Sequence, residues 1–598
     1  MSDLMHAHER LATILMRSFL NNHSSDGVVD EADKEIVFSN IVELSRVSAM
    51  GSSCLYLSDE TTHVFEQMSE ELSWLSLVSE QGSTPGYQQK DSLKKAAVIL
   101  ENNRLYLNKY FHAEHDIEAS LKVLVEQTTD IDESRIVDKI TPLKYMSDAG
   151  KAVILNTLRQ NLSVITGGPG TGKTTIVVRV LALLIEQHRQ QGQDNVNIEI
   201  LAPTGKASAR VKESIVEQKN EWLNDLRGFD SSVIEAIPEV SQTVQKFLGI
   251  NPTTRKSRFK RGQKANVDIV IVDEASMLDI MLVKELLASL RPTTRLILLG
   301  DPYQLASVEA GNVLSQIVLA AAQPENTWLS QACTELTESH RFTRDSGIGQ
   351  LAEAVNQGQV ESVMQILKND TFQDVTLDTV QSSLTTASEG YQPYKSEIKR
   401  LAKVKNIDHE SIQRVFLAFD AWQVFSPFRS GKYGVEGINQ EVEETLDLGN
   451  DGDWYLGKPI IITTNDHTLK LYNGDIGICL DKTGKTVCFP GTETDEAGGL
   501  NYRFINTRIL PEHELVYAMT VHKSQGSEYE RCMLVVPKPS ENQSNLLTRE
   551  ILYTAITRAK KTFMLFAEDA EIKRLVENKT DRMSGLLKGY KELYELYR

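Results

Sequence analysis

The sequence contains few cysteines. Its 598 residues include five of them, and no two form a Cys-x-x-Cys pair. They are Cys54, Cys333, Cys479, Cys488 and Cys532. A disulfide framework or a zinc site needs paired or closely spaced cysteines. We therefore expect scattered, reduced thiols.

Long apolar runs are also missing. No stretch approaches the roughly 18 uncharged apolar residues that a membrane-spanning helix requires. The first twenty residues hold two acids, two histidines and a short apolar run that ends at Arg17. That pattern is too short and too mixed for a signal peptide. We expect no membrane partner and a cytoplasmic location.

An excess of positive charge is absent as well. Lys and Arg total 64 against 82 Asp and Glu, so the formal net charge is −18. This balance argues against a histone-like positive coat, but a nucleic-acid enzyme can confine its Lys and Arg to one groove. The content of 41% hydrophobic and 24% charged residues excludes a wholly disordered chain. The length predicts three to five domains.

Two regions differ in their apolar pattern. Short apolar runs at 161–166, 197–203, 267–273 and 295–301 alternate with helical stretches. This alternation predicts a parallel sheet, in which ligands bind at the carboxyl ends of the strands. Residues from about 437 to 515 instead show strand-like runs broken by tight turns, which predict a small antiparallel β-barrel insertion.

A phosphate-binding loop follows the first of these predicted strands. Residues 167–174 read Gly-Gly-Pro-Gly-Thr-Gly-Lys-Thr, which fits G-x-x-x-x-G-K-[ST] between a strand and a helix. Glycines let backbone N–H groups surround phosphate oxygens, and the helix N-terminus favours negative charge. Lys173 would reach the β- and γ-phosphates, and Thr174 would bind Mg²⁺. The predicted nucleotide-binding residues are Gly167, Gly168, Pro169, Gly170, Thr171, Gly172, Lys173, Thr174 and Thr175.

A pair of acids follows the third apolar run. Asp273 is the expected Mg²⁺ partner together with Thr174, and Glu274 can orient the attacking water. The alternative is an acidic cap on the next helix. The phosphate loop favours the first interpretation, so the sequence predicts binding and hydrolysis of a nucleoside triphosphate, with Mg²⁺ as the expected metal ion.

Further motifs decide the class of NTPase. They are GDPYQL (300–305), LTESHRF (336–342), TVHKSQGSE (520–528) and YTAITRAK (553–560). In this order they resemble motifs III to VI of superfamily 1 helicases, and APTGKA (202–207) resembles motif Ia. The match extends to RLYLN (104–108) and TDRMSGL (580–586), although it is thin across residues 1–100. With these segments the chain resembles the RecD family, the alpha subunits of bacterial exodeoxyribonuclease V.

The resemblance implies an α/β fold with two RecA-like P-loop NTPase domains, a small SH3-like β insertion in the second, and a mainly helical N-terminal domain. The expected bounds are 1–125 for a partner-binding domain, 126–345 and 346–598 for the RecA-like domains, and about 437–515 for the insertion. It also implies an ATP-dependent 5′ to 3′ DNA helicase that acts on duplex ends in break repair and recombination. The implied partners are DNA and RecB-like and RecC-like subunits, with the nuclease site in the RecB-like partner.

The resemblance assigns roles to individual residues. The implied catalytic residues are Lys173, Glu274, Gln304, which would sense the γ-phosphate, and the arginine fingers Arg341 and Arg558. The alternative for each arginine is a surface ion pair, worth at most about 1 kcal/mol. The implied DNA contacts are Pro203, Thr204, Gln245, Thr520, His522, Lys523 and Ser524. Contacts to a nucleic-acid backbone carry no sequence information, so we expect sequence-independent binding.

Two positions depart from the pattern of related helicases. Gly150 stands where many members have a glutamine that reads adenine, so adenine specificity is in doubt or comes from other groups. Gln245 stands where a histidine is usual, and its amide can still donate a hydrogen bond. Neither change affects the hydrolysis chemistry.

Three alternatives stay open. The basic run 255–264 could face DNA or could be a solvated loop without a role. The chain could be a stand-alone superfamily 1 helicase, but those members usually carry a longer N-terminal extension than the roughly 130 residues before this core. It could also be an NTP-driven switch, against which the intact motifs III, V and VI argue.

Overall fold

The computed structural model describes most of the chain. The described residues are 9–17, 30–69, 72–78, 95–140, 148–193, 195–224, 229–251, 253–259, 262–307, 309–339, 341–342, 345–369, 371–405, 407–449, 452–466, 468–494, 500–580 and 582–588. No helix among them combines the length and the hydropathy that crossing a bilayer demands.

The amino-terminal region contains helices and one small sheet. Its labelled elements, after a helix at 9–17, are α1 (Glu31–Ala49), β1 (Cys54–Tyr56), α2 (Asp59–Gln67), β2 (Leu75–Val78), β3 (Val98–Glu101), β4 (Arg104–Leu107) and α3 (Asn108–Val125). The strands form a four-stranded sheet in the order β1-β4-β3-β2. The sequence pattern did not predict this sheet, because apolar runs of three or four residues cannot be told from buried helix segments by periodicity.

A six-stranded parallel sheet and its helices form what we call the first lobe. The strands are β5 (Leu162–Gly167), β6 (Ile198–Ala202), β7 (Ser241–Thr243), β8 (Ile269–Val272), β9 (Arg295–Gly300) and β10 (Cys333–Leu336). Their order is β10-β5-β9-β8-β6-β7, and every neighbouring pair is parallel. The helices are α4 (Glu133–Ile140), α5 (Asp148–Arg159), α6 (Lys173–Gln190), α7 (Gly205–Asn224), α8 (Ser231–Glu235), α9 (Val244–Leu248), α10 (Ile280–Ser289), α11 (Val313–Ala321) and α12 (Thr327–Ser330).

The first sheet is covered on both faces, which explains its continuous apolar strands. All four residues of β8 are buried. Ile269 and Ile271 join a core with α5 to α8, whereas Val270 and Val272 join a core with α9 to α12. Successive side chains of a strand point to opposite faces, so both faces need apolar residues. Helix α3 shares the second of these cores, although its sequence lies inside the expected 1–125 domain.

A second parallel sheet and an antiparallel sheet form what we call the second lobe. The strands are β11 (Val375–Asp378), β12 (Trp422–Ser426), β13 (Pro459–Ile462), β14 (Ile476–Cys479), β15 (Thr486–Thr494), β16 (Leu500–Asn506), β17 (His513–Leu515), β18 (Ala518–Thr520), β19 (Tyr529–Val536) and β20 (Ala559–Ala567). The helices are α13 (Gly347–Asn356), α14 (Val360–Lys368), α15 (Ser383–Gly390), α16 (Gln392–Leu401), α17 (His409–Asp420), α18 (Val435–Leu446), α19 (Arg549–Thr557) and α20 (Asp569–Glu577). The parallel sheet has the order β11-β20-β19-β12-β18. Two parallel sheets with flanking helices confirm the predicted α/β fold of RecA-like type.

The antiparallel sheet interrupts the second lobe between β12 and β18. Its order is β16-β15-β14-β13-β17, and each neighbouring pair is antiparallel. The first part of the expected insertion, from about residue 437, instead lies in α18. This helix belongs to the parallel sheet, because the Asn439 side chain exchanges hydrogen bonds of 2.8 and 3.0 Å with the Ala518 backbone. The SH3-like class of the insertion stays a prediction, as do the domain bounds.

Candidate active site

The phosphate loop has the shape that its glycines permit. Residues 167–172 connect the carboxyl end of β5 to the start of α6. Gly170 and Gly172 both have a φ of 79°, in the left-handed region that other residues rarely adopt. A Cβ atom on Gly170 would also clash with the side chain of Arg341. The sequence therefore places glycine where the backbone turns and where a second segment approaches.

Lys173 lies at the base of a cavity between the two lobes. Its ammonium group donates hydrogen bonds to the carbonyl oxygens of Gly167 and Gly168, at 2.5 and 2.9 Å. The cavity has a volume of about 1050 Å³. Its walls include the predicted site residues Gly170, Thr171, Gly172, Lys173, Thr174, Thr175, Asp273, Glu274, Gln304, Arg341 and Arg558. The structure thus brings the predicted nucleotide site and both predicted arginine fingers to one cavity.

Two adjacent carboxylates, Asp273 and Glu274, line the same cavity as Lys173. Burial, together with the charge of Glu274, raises the pKa of the Asp273 carboxyl, and Lys173 opposes that rise. Glu274 has a left-handed φ of 52°, which is uncommon outside glycine and recurs at functional sites. Thr174 lines the same cavity, and carboxylate and hydroxyl oxygens are the ligands that a hard divalent cation prefers. Asp273 and Thr174 therefore fit the predicted Mg²⁺ site.

A chain of three side-chain hydrogen bonds joins the lobes beside the cavity. Asp301 Oδ2 accepts from Gln304 Nε2 at 3.0 Å and from the Tyr553 hydroxyl at 2.9 Å. Arg558 Nη2 donates to Gln304 Oε1 at 2.8 Å. Tyr553 and Arg558 come from α19 and its end, whereas Asp301 and Gln304 belong to the loop after β9. All four side chains are buried, so Arg558 does not form the surface ion pair considered as its alternative.

The sequence did not assign roles to Asp301 and Tyr553, although both lie inside quoted motifs. The ring of Tyr553 is buried, but its hydroxyl reaches the first lobe, where a Cβ on Gly168 would lie 3.2 Å from it. Burial raises the pKa of the Asp301 carboxyl, while Lys173 and the hydrogen-bond donors oppose the shift. Only the three-dimensional proximity of the motifs reveals this contact.

The second predicted arginine finger is held by a carboxylate. Arg341 Nη2 lies 2.6 Å from Glu528 Oε1. Arg210 and Lys560 lie 3.5 and 3.7 Å from the other oxygen of Glu528. Burial alone would raise the pKa of Glu528, but Arg210 and Arg341 outweigh it and the pKa lies below its ordinary value. Cations from both lobes therefore surround one acid at the cavity wall, which the sequence did not predict.

The predicted DNA contacts on the first lobe lie at one sheet edge. Pro203 and Thr204 follow β6, and Gln245 lies in α9, directly after the neighbouring strand β7. Gln245 is exposed, whereas Pro203 is buried. The Thr204 hydroxyl accepts a hydrogen bond from Ala207 N at 3.2 Å and so caps the start of α7.

The predicted DNA contacts on the second lobe lie in the turn after β18. Thr520 ends the strand, and His522 is exposed. Lys523 pairs with Glu514 at 2.8 Å. Ser524 is fully buried and donates its hydroxyl to Val521 O, so here it shapes the turn. This turn approaches the first lobe, because a Cβ on Gly526 would lie 3.6 Å from the Cβ of Ala207.

Gly150 and the basic run occupy different surroundings. Gly150 lines the cavity and offers no side chain to a base. In the basic run, Arg255 and Lys256 are exposed, and Lys264 donates to Ala288 O at 2.8 Å at the end of α10. Lys260 and Arg261 lie outside the described residues. Lys264 thus has a structural contact, and both interpretations of the run stay predictions.

Known proteins resemble this chain over most of its length. Residues 150–310 match the AAA domain family, and residues 515–566 match the UvrD-like helicase C-terminal domain. The chain is 34% identical over 499 residues to the RecBCD enzyme subunit RecD of Haemophilus influenzae, which covers 76% of this chain and 74% of that protein. It is also 34% identical over 502 residues to the protein of the same name from Mycolicibacterium smegmatis, with 82% of each chain covered.

Among solved structures, the chain resembles a Pif1 helicase from Bacteroides in complex with ADP-AlF₃ and ssDNA. The sequence identity is 16%, the TM-score is 0.36, and 78% of this chain and 98% of that chain are covered. The 34% identity to the two RecD proteins, over 76% and 82% of this chain, establishes the family of the chain. The chain belongs to the RecD family of superfamily 1 helicases.

Proposed function

We propose that this protein is an ATP-dependent DNA helicase subunit of an exodeoxyribonuclease V complex, that it moves 5′ to 3′ along one strand, and that it assembles with RecB-like and RecC-like partners. The observation that carries the proposal is the cavity between the lobes. There the phosphate loop faces Arg341 and Arg558, and Arg558 is hydrogen-bonded to Gln304. The names of the two curated relatives support the partners.

Each side chain of the site has its own role in ATP hydrolysis. Lys173 holds the β- and γ-phosphates, and Glu274 orients the attacking water. Thr174 and Asp273 would hold Mg²⁺, which neutralises phosphate charge when bound. Arg558 and Arg341 place positive charge where negative charge develops, and an arginine finger is worth roughly 10³–10⁵ in rate. Arg341 would leave Glu528 to do this.

Closure of the cavity links hydrolysis to movement. Arg558 and Tyr553 of the second lobe donate hydrogen bonds to Gln304 and Asp301, which lie in one loop of the first lobe. Loss of the γ-phosphate removes one group that holds the lobes together, so the cavity can open and close with each cycle. Repeated closure moves one lobe relative to the other along a DNA strand.

The strand would cross both lobes at the edge where motif Ia and the turn after β18 meet. Thr204 and Gln245 would contact it from the first lobe, and Thr520 and His522 from the second. Pro203, Lys523 and Ser524 would shape this path. Contacts of this kind are largely sequence-independent and weaken with salt.

A stand-alone helicase is not favoured. The chain covers 74% and 82% of two relatives that are both named as RecBCD subunits.

A direct test of the proposed function compares unwinding of duplexes with a 5′ tail and with a 3′ tail, by the chain alone and after addition of its partners. We expect unwinding from the 5′ tail only. Unwinding from the 3′ tail by the chain alone would contradict the proposed direction.

The hydroxyl of Tyr553 gives a second test. The variant Tyr553→Phe removes the donor to Asp301, a hydrogen bond to a charged group worth roughly 1.5–3 kcal/mol. We expect kcat for ATP to fall about tenfold or more while KM changes little, because the bond orients Gln304 rather than holding the nucleotide. The matched control is Tyr394→Phe, which loses a buried hydrogen bond of 2.7 Å to Gly457 O within the second lobe. Equal loss of rate in both variants would refute a specific role for Tyr553.

A further inference from the structure

The segment after α20 runs back across the molecule. We call residues 582–588 the carboxyl-terminal strap; they include five of the seven residues of TDRMSGL (580–586), one of the segments that carry the family resemblance. The chain is anchored just before it, because Glu550 at the start of α19 accepts hydrogen bonds from the Thr580 hydroxyl at 2.7 Å and from Thr580 N at 3.1 Å. The strap then leaves the second lobe and contacts both the first lobe and the amino-terminal region.

Arg582 binds the loop that carries Gln304. Its guanidinium donates to the carbonyl oxygens of Ser307, Glu309 and Gly311, at 2.6, 3.3 and 3.4 Å. The single proton of the Ser307 hydroxyl is shared between the carbonyl oxygens of Glu309 and Gly311, each 3.0 Å away. A planar guanidinium can bridge several acceptors at fixed geometry, which a lysine cannot do. The loop is thus held by Arg558 near its start and by Arg582 near its end.

The amino-terminal region contacts the same loop and the same arginine. Gly311 N donates to Gly51 O at 2.8 Å. Gly51 has a φ of 100°, and a Cβ there would lie 2.6 Å from Arg582 Cζ. Ser53 N donates to Met583 O at 2.9 Å. The loop, the strap and the amino-terminal region therefore meet at one junction.

A buried carboxylate fixes the strap in place. Glu114 of α3 is 2% exposed. It accepts hydrogen bonds from Ser584 Oγ at 2.5 Å, from Gly585 N at 3.1 Å and from the Ser53 hydroxyl. A buried carboxylate is costly unless it is hydrogen-bonded, so these donors make the position of the strap specific. Leu586 and Leu587 add to this by packing into the core of the first lobe.

We propose that Arg582 is a positioning residue for ATP hydrolysis, and that the strap holds the Gln304 loop in register with the amino-terminal region. The inference rests on the proposed function, since it requires hydrolysis in the cavity between the lobes. Arg582 is not among the residues that line that cavity and acts through the backbone of the loop. A small displacement of a catalytic group can cost about 10²-fold in rate. Through this junction the amino-terminal region contacts the loop that carries Gln304.

The test uses the full chain and measures ATP turnover stimulated by single-stranded DNA. The variants Arg582→Lys and Arg582→Gln remove the bridge across three carbonyls, and the first retains the charge. We expect kcat to fall about tenfold and KM for ATP to change less than about twofold in both variants. For Arg582→Lys, whose ammonium group can still donate a hydrogen bond, we expect the thermal midpoint to stay close to that of the wild type. The matched control is Arg549→Lys, whose guanidinium binds Val576 O at 2.9 Å and Asn356 O at 3.4 Å inside the second lobe.

A double-mutant cycle with Gln304→Ala separates positioning from general damage. If Arg582 acts through the loop, Arg582→Lys will lower kcat much less in the Gln304→Ala background than in the wild type. Full additivity, an unchanged kcat, or an equal loss in Arg549→Lys would overturn the inference. Lys173→Ala is included as a blank. Wild-type turnover by that variant would refute the proposed function instead, whereas an inactive blank with unchanged Arg582 variants would refute only the role of the strap.

Discussion

Replacing Lys173 by alanine is expected to reduce ATP turnover to the background rate measured without the protein. The ammonium group lies at the base of the cavity and touches the two carbonyls at the start of the phosphate loop, at 2.5 and 2.9 Å. It is the one side chain of the loop that brings a full positive charge to the phosphates. Loss of a single fixed group that stabilises developing charge costs roughly 10²–10³ in kcat. We expect a loss of at least that size, measured as phosphate release with saturating single-stranded DNA.

A control and a second measurement make this test specific. Lys284→Ala removes an ammonium group of the same lobe that pairs with Asp116 at 3.2 Å, outside the cavity. That variant should keep the wild-type rate. A non-hydrolysable ATP analogue at about 100 times its Kd should stabilise the wild type by about 2.7 kcal/mol against unfolding. The same concentration should stabilise Lys173→Ala much less. Near wild-type turnover by Lys173→Ala would show that the phosphate loop is wrongly assigned.

The parts of the site that depend on local spacing were predicted from the sequence. The phosphate loop and the acid pair Asp273-Glu274 each lie directly after a strand, and both reach the cavity. Their positions follow from the rule that ligands bind at the carboxyl ends of parallel strands. A short motif carries that information because neighbouring residues fix its geometry.

The contacts between distant motifs were not predicted. No spacing in the sequence indicates that the Tyr553 hydroxyl meets Asp301, or that Arg341 pairs with Glu528 across 187 positions. Such pairs depend on how the two lobes face each other. The same holds for Arg582 and the loop 301–311, which lie more than 270 positions apart in the chain. The sequence showed which residues belong to motifs, and the fold showed which of them touch.

Substitution of Arg558 is expected to have the other large effect. An arginine finger is worth roughly 10³–10⁵ in rate because its charge meets the charge that develops during phosphoryl transfer. Arg558 also donates to Gln304 Oε1 at 2.8 Å and to Ser527 O at 3.1 Å, so alanine would leave buried acceptors unpaired and lower stability. Arg558→Lys keeps the positive charge but loses the planar guanidinium with its several N–H donors. It therefore tests the catalytic role of the guanidinium with less damage to stability. We expect its kcat to fall by at least about 10²-fold while the ATP analogue still raises the thermal midpoint, because Lys173 continues to bind the phosphates.

The control for Arg558→Lys is Arg574→Lys. In the wild type, Arg574 contacts Ser544 Oγ at 3.2 Å in the same lobe, and the variant should turn over ATP as the wild type does. A kcat for Arg558→Lys within threefold of the wild type would mean that Arg558 joins the lobes without acting on the phosphates.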